Sequence, residues 1–260
     1  MSKNIVYMVN VVHDERSKSQ KYEWSVKSWK NWCKNNNAEL YVFDQLLYEI
    51  DYMAPQWYKT FIFDLLDASE IEYDKILYVD SDTIVHPKMP NIFELQSEGE
   101  FCAVSNRFGS MDWVLRSLEN YSKHVFEDFT FPYYEYFNSG VMLFDKTHKP
   151  MLKRMQEFYH TNRELLVEIQ TKLGVGKDQP VFNFFVQKES NLKMLPYEYN
   201  MQDLMRFEAI GPDMLHTRCG WIYHFNCGVT PSPGYWMEQT YKLHYQVYVI
   251  LKMISLQVVI

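Results

Sequence analysis

The segment KILYVDSDTIVHP, residues 75–87, sets two carboxylates at the end of a short apolar run. Ile76, Leu77, Tyr78 and Val79 read as a buried strand, Asp80, Ser81 and Asp82 follow it, and Pro87 closes the stretch. Residues i and i+2 of an extended chain point the same way, so Asp80 and Asp82 share a side. Two such carboxylates repel one another, and burying them is costly unless a cation meets them. Two readings are open on these residues alone. The pair caps a turn ahead of Pro87, or it holds a hard divalent cation, magnesium or manganese, whose shell water and substrate phosphates complete.

Outward from this strand the chain alternates. Residues 4–12 (NIVYMVNVV) read as a first buried strand. Residues 19–37 read as a helix, with Tyr22, Val26, Trp29 and Cys33 at helical spacing and an Asn run to end it. Residues 38–44 are a second strand, and 55–68 a second helix with Pro55 in its first turn. Segments 100–106 and 136–145 are two more candidate strands, and 148–174 is strongly helical, with Gly174 as its stop. Strand, helix, strand, helix, strand predicts an α/β fold: a single Rossmann-like, mostly parallel twisted sheet flanked by helices. Ligands of such sheets bind at the carboxyl ends of the strands, where Asp80-Ser81-Asp82 lies. There is no internal repeat or Gly/Ser linker, so residues 1–240 are expected to be one domain.

Composition excludes several function classes. The chain has 260 residues, 47% hydrophobic and 17% aromatic, enough for a sizeable core. A formal net charge of -7 with scattered cations argues against nucleic-acid binding. No N-terminal run resembles a signal peptide, and no stretch reaches the roughly 18–20 apolar residues of a spanning helix. Cys33, Cys102, Cys219 and Cys227 lack metal-site spacing and read as reduced thiols of a cytoplasmic protein.

Three further segments carry chemistry: YFNSGVMLFD with Asn138, Ser139 and Gly140, GKDQPVFN with Asp178 and Gln179, and WIYHFNCG with His224. With YDKILYVDSDTIV, these motifs resemble, in order, nucleotide-sugar-dependent glycosyltransferases of the GT-A fold, in particular the glycogenin and lipopolysaccharide galactosyltransferase group (family 8). The resemblance spans residues 4–228. It implies that Asp80 and Asp82 form the D-x-D motif, that His224 is the third metal ligand, and that the cofactors are Mn2+ (or Mg2+) and a nucleotide sugar, with UDP the commonest nucleotide. It places Asn138, Asp178 and Gln179 on the donor sugar, Asp80 and Ser81 at the donor ribose and metal, Lys59 near the nucleotide, and the nucleobase near Asn10, Val11 and Val12. It implies transfer of a hexose or pentose to a hydroxyl of a glycan or small molecule, with retention.

Two departures stand out. In HFNCGVTPSPGYW the glycine, Gly228, comes one position late and no lysine follows, which leaves Lys177 as an alternative diphosphate cation. The run FTFPYYEYFNSG is rich in aromatics, and its tyrosines or Trp113 could stack on an acceptor sugar or simply pack. Competing readings are a nucleotidyltransferase, which needs a glycine-rich loop where NVVHDERSKSQ stands, and a catalytically silent nucleotide-sugar-binding module. Residues 241–260 carry Leu243, Val247, Ile250, Leu251, Ile254 and Val258 at helical spacing. This apolar segment is expected to pack on the domain or to form a homodimer contact.

Overall fold

The computed structural model describes residues 3–13, 22–106, 111–202, 204, 218–226 and 232–246. A six-stranded sheet runs through it in the order β2-β1-β3-β6-β5-β7. Its strands are β1 (Asn4–Val9), β2 (Ala38–Phe43), β3 (Lys75–Asp80), β5 (Glu100–Ser105), β6 (Phe137–Asp145) and β7 (Asn191–Leu195). Pairings β1–β2, β1–β3 and β5–β7 are parallel, while β6 runs antiparallel to both β3 and β5. The sheet is therefore mostly parallel with one reversed strand. A separate antiparallel pair joins β4 (Thr83–Val85) to β8 (Ile222–His224).

Helices cover both faces, so the central strands read as unbroken apolar runs. Alternate residues feed two cores. Ile5, Tyr7, Ile76, Tyr78, Phe101 and Phe144 point to one, and Val6, Met8, Leu77, Val79, Val141 and Leu143 to the other. The first core packs against α2 (Ile62–Ala68), α3 (Met111–Val125), α4 (Lys149–Leu173) and α5 (Asp178–Glu189). The second packs against α1 (Glu23–Asn35) through Trp29, Trp32 and Cys33. A final helix, α6 (Pro233–Tyr241), sends Met237 into a third cluster with Ile84, Tyr223 and Phe225.

Several elements differ from the sequence expectation. The first strand stops at Val9, where both of its neighbours end, Phe43 of β2 and Asp80 of β3 lying opposite it; Asn10 N–H gives the last ladder bond, to Phe43 O at 2.8 Å. The segment 55–68 splits into a 3-10 turn (Pro55–Phe61) and α2; inside the turn the Thr60 hydroxyl donates to Trp57 O at 2.8 Å. The helix after β1 begins at Glu23, and Asn36 caps it. Gly174 ends α4 in the left-handed region at φ 61°, as expected. Of the terminal segment, 247–260 lies outside the described residues. Its start, a π turn (Lys242–Gln246), packs on the body: the Tyr245 hydroxyl lies 2.7 Å from Val85 O and 3.2 Å from Ser28 O. Cys33 and Cys102 stand as buried free cysteines.

Candidate active site

The carboxyl end of β3 is pinned from below. The Trp29 indole N–H donates to Thr83 Oγ1 at 2.9 Å, and that hydroxyl donates to Asp80 O at 2.7 Å. This pair fixes the turn that separates Asp80 from Asp82. Phe225 N–H donates to Asp82 O at 2.9 Å, and β4 pairs with β8 so that Thr83 faces His224. Two short strands thus carry a histidine distant in sequence to the carboxylate pair. His224 Nε2 lies 3.1 Å from Asp82 Oδ1 and 3.7 Å from Asp80 Oδ2. One ligand atom from each of Asp80, Asp82 and His224 falls within 4.8 Å of the others.

Space for this cluster is kept by Gly140. On β6, beside the end of β3, an added Cβ would sit 2.3 Å from His224 Cε1 and 2.6 Å from Asp80 Oδ2. Two carboxylates and an imidazole nitrogen fit a divalent cation of manganese or magnesium type, with open positions left for other oxygens. Burial works to raise the Asp82 carboxyl, yet His224 opposite, its own backbone N–H and Lys59 bring it below the usual range.

Lys59 lies on the other side of Asp80. It is 3% exposed, and its Nζ lies 3.0 Å from Asp178 Oδ2, 3.5 Å from Asp80 Oδ1 and 3.1 Å from Ser139 O. Burial opposes its charge, but Asp178 and Asp80 outweigh burial and raise its pKa. The Tyr78 hydroxyl donates to Asp80 Oδ1 at 2.5 Å, which sets the direction of that carboxylate. Lys59 is therefore an interior counter-ion between Asp80 and Asp178, not a side chain on the open cleft.

Asp178 begins α5, whose N-cap is Lys177, so Asp178 is the first helical residue and not the cap. Its Oδ2 also accepts from Ser139 Oγ at 3.1 Å. Asn138 lies in β6 where its register against β5 shifts: the adjacent Ala103 and Val104 pair with Met142 and Asn138, so the extra residues Ser139, Gly140 and Val141 bulge on β6. The Asn138 amide is taken up internally. Its oxygen accepts from Gly140 N at 2.9 Å and Asn200 Nδ2 at 3.0 Å, and its nitrogen donates to Gln179 Oε1 at 3.1 Å and Asn106 Oδ1 at 3.2 Å. Asn200 in turn meets His224 Nδ1 at 3.0 Å.

On the open side, a cleft of about 270 Å³ is lined by Val9, Val11, His13, Tyr78, Ser81 and Asp82 among others. Val11 is buried, Val12 is 47% exposed, and the buried Asn10 Oδ1 finds no partner among the described residues. Larger depressions of about 490 to 550 Å³ lie elsewhere, but the metal-ligand cluster adjoins this one. Trp113 packs edge-on to Tyr136, while Tyr133 and Tyr134 are exposed. Lys177 is exposed, and Cys227 and Gly228 lie outside the described residues.

The structure brings Asp80, Asp82, His224, Lys59, Asp178, Ser139, Asn138 and Gln179 into one continuous network. Sequence reasoning missed three members. Asn106 directly follows β5 and could have been found by the strand-end rule that found Asp80. Thr83 lay inside the motif YDKILYVDSDTIV with no role read for it, and Asn200 carried no periodic or motif signal.

The chain matches the family model described as Glycosyl transferase family 8 over residues 3–231. No curated protein matched it. Among solved structures, it resembles a glycosyltransferase involved in the glycosylation of the major capsid of PBCV-1, with a TM-score of 0.55 and 12% identity, over 91% of this chain and 98% of that one. It also resembles the apo-form glycosyltransferase GlyE of Streptococcus pneumoniae TIGR4, with a TM-score of 0.52 and 17% identity, over 99% of this chain. The match spans 64% of the GlyE chain. At these identities the likenesses show the fold, and the family match over most of its length shows that the chain belongs to glycosyl transferase family 8 and is a glycosyltransferase.

Proposed function

We propose that this glycosyltransferase moves a hexose or pentose from a UDP-sugar to a hydroxyl of a glycan or other acceptor, with retention of anomeric configuration. A divalent cation, Mn2+ or Mg2+, would be held by Asp80, Asp82 and His224. The observation that carries this reading is the convergence of those three ligand atoms in a space that Gly140 keeps free. When bound, the cation supplies Lewis-acid stabilisation of the charge that grows on the departing diphosphate.

The chain's own groups do the rest. The cleft beside Val11 and Ser81 takes the nucleoside. Asp178, steadied by Lys59 and Ser139, accepts a hydrogen bond from a donor-sugar hydroxyl and offsets positive charge at the anomeric carbon. Gln179 borders the same sugar, while Asn138 holds Gln179 and Gly140 in place. No protein nucleophile is assigned, so the acceptor hydroxyl attacks from the leaving-group face. Tyr133 and Tyr134, exposed at the rim where β6 begins, offer flat apolar surface to an acceptor sugar.

The test is a panel of nucleotide sugars incubated with the protein and Mn2+. Slow hydrolysis of one UDP-sugar, abolished by a chelator, is expected. Pyrophosphate release from a nucleoside triphosphate, or donor binding without turnover, would overturn the reading.

A further inference from the structure

The hydrogen bonds around Asn200 fix more than its own position. Asn200 is wholly buried, just after the 3-10 turn Tyr197–Tyr199. A backbone N–H can only donate, so the bond from Gly140 N identifies the Asn138 atom it meets as the oxygen. The same logic applies at the far end, where Ser139 N donates to Gln179 Oε1 at 3.2 Å. Asn138 is therefore oriented from both sides, with its nitrogen toward Gln179 and its oxygen toward Asn200. The group that Asn200 turns to that oxygen must be its NH2. Its oxygen then faces His224 Nδ1, which must carry the hydrogen. A neutral imidazole with hydrogen on Nδ1 has its free electron pair on Nε2, the nitrogen directed at Asp82 and Asp80.

Two backbone amides on β6 thus determine, through three carboxamides, which nitrogen of His224 can ligate. We propose that Asn200 is a positioning residue that locks His224 in its Nδ1–H form and ties that ligand to Asn138 and Gln179, so that metal loading and donor-sugar engagement are coupled. This rests on the metal reading proposed above. A partner behind a metal-bound histidine is typically worth about 10–100-fold in metal affinity. Here the partner has a second duty that a carboxylate could not perform, because donation to Asn138 needs an N–H.

That difference supplies the test. Calorimetry measures the gain in UDP affinity on adding Mn2+ for the unaltered protein, Asn200→Leu and Asn200→Asp. The unaltered protein is expected to show a gain, and Asn200→Leu to lose about 10–100-fold of it. Asn200→Asp still accepts from Nδ1–H and is expected to keep the gain within about threefold. Having lost the donation to Asn138, it should hydrolyse the donor at least about tenfold more slowly, in kcat rather than KM. In the metal-free, unaltered protein, long-range 1H–15N spectra should show hydrogen on His224 Nδ1.

An unchanged gain in Asn200→Leu would overturn the proposal and leave the metal reading standing. So would an Asn200→Asp variant as weak as Asn200→Leu. No gain in the unaltered protein would overturn both. Should Asn200→Leu fail to fold, Asn200→Asp and the ring spectrum decide, and hydrogen on Nε2 with none on Nδ1 refutes the assignment.

Discussion

Gly140→Ala is the sharpest probe of the site, because it adds one methyl group at a place where nothing can yield. The new Cβ would lie 2.3 Å from His224 Cε1, 2.6 Å from Asp80 Oδ2 and 2.9 Å from Asn138 Oδ1. Ordinary contact begins near 3.4 Å, so the imidazole must retreat by about 1.1 Å. It is buried and held from behind by Asn200, and β6 is buried along its whole length between two partner strands. Metal–ligand distances tolerate about 0.2 Å, so a shift several times larger breaks the ligand set. The Mn2+-dependent gain in UDP affinity should fall by about 100-fold or more, equivalent to about 2.8 kcal/mol. Overpacking should cost a further 1–3 kcal/mol or so of stability, at roughly 2–4 °C per kcal/mol. Calorimetry with and without Mn2+, beside a thermal melt, reads both. A folded Gly140→Ala protein with an unaltered Mn2+ response would refute the packing argument and the ligand set together.

Asp82→Ala, and less severely Asp80→Ala, should abolish metal-dependent donor hydrolysis while the circular-dichroism spectrum stays native; wild-type turnover in Asp82→Ala would remove that carboxylate from the site. Asp178→Asn should slow transfer by a factor of ten or more, worth on the order of 1.5–3 kcal/mol, with UDP affinity little changed. An equal loss of UDP affinity would instead place Asp178 at the nucleotide. Burial works to raise the Asp145 carboxyl, but the Thr147 hydroxyl and N–H, Gly99 N–H and His148 hold it below its ordinary value. Its contribution is therefore present above the unfolded value near 3.9 and lost as pH falls through the lower folded one. Asp145→Asn should melt lower at neutral pH but show a flatter decline below about pH 4, and parallel acid limbs in the two proteins would contradict this. Tyr245→Phe leaves Val85 O without its hydroxyl donor and should cost about 1–3 kcal/mol in a denaturant titration. No change there would mean that the terminal segment does not brace β4.

The sheet was legible because its strands are buried on both faces. Runs such as ILYV and GVMLF need no periodicity to be recognised. Their ends were less so: β1 stops at Val9 although Val11 and Val12 continue the apolar pattern, since both partner strands, β2 and β3, end opposite it at Phe43 and Asp80. Helix α3 carries Val114, Leu118 and Tyr121 at helical spacing, a signal that was present and unread. Strand β7, NLKML, is short and half-buried at the sheet edge, so its pattern is weak. Of the site, the carboxylates and His224 were found through motifs in order. The depth of Lys59 was not, because burial of a lysine depends on counter-ions from two other elements. Asn200 was missed for a related reason: a loop asparagine announces nothing until its neighbours are known.

The reversed direction of β6 gives the two ends of that strand unequal freedom. Val79 pairs with Val141, so the residues entering β6, including the Tyr133–Glu135 turn, lie past the carboxyl end of β3, above the reaction. The residues leaving it, Lys146–His148, emerge about 27 Å away at roughly 3.3 Å per residue, on the opposite rim. On the acceptor reading proposed above, lengthening the chain before Phe137 would therefore change what the enzyme can accept, while the same insertion after Asp145 would register only as altered stability. A label or affinity tag that must leave turnover alone belongs on the second rim. A library meant to change the acceptor belongs on the first.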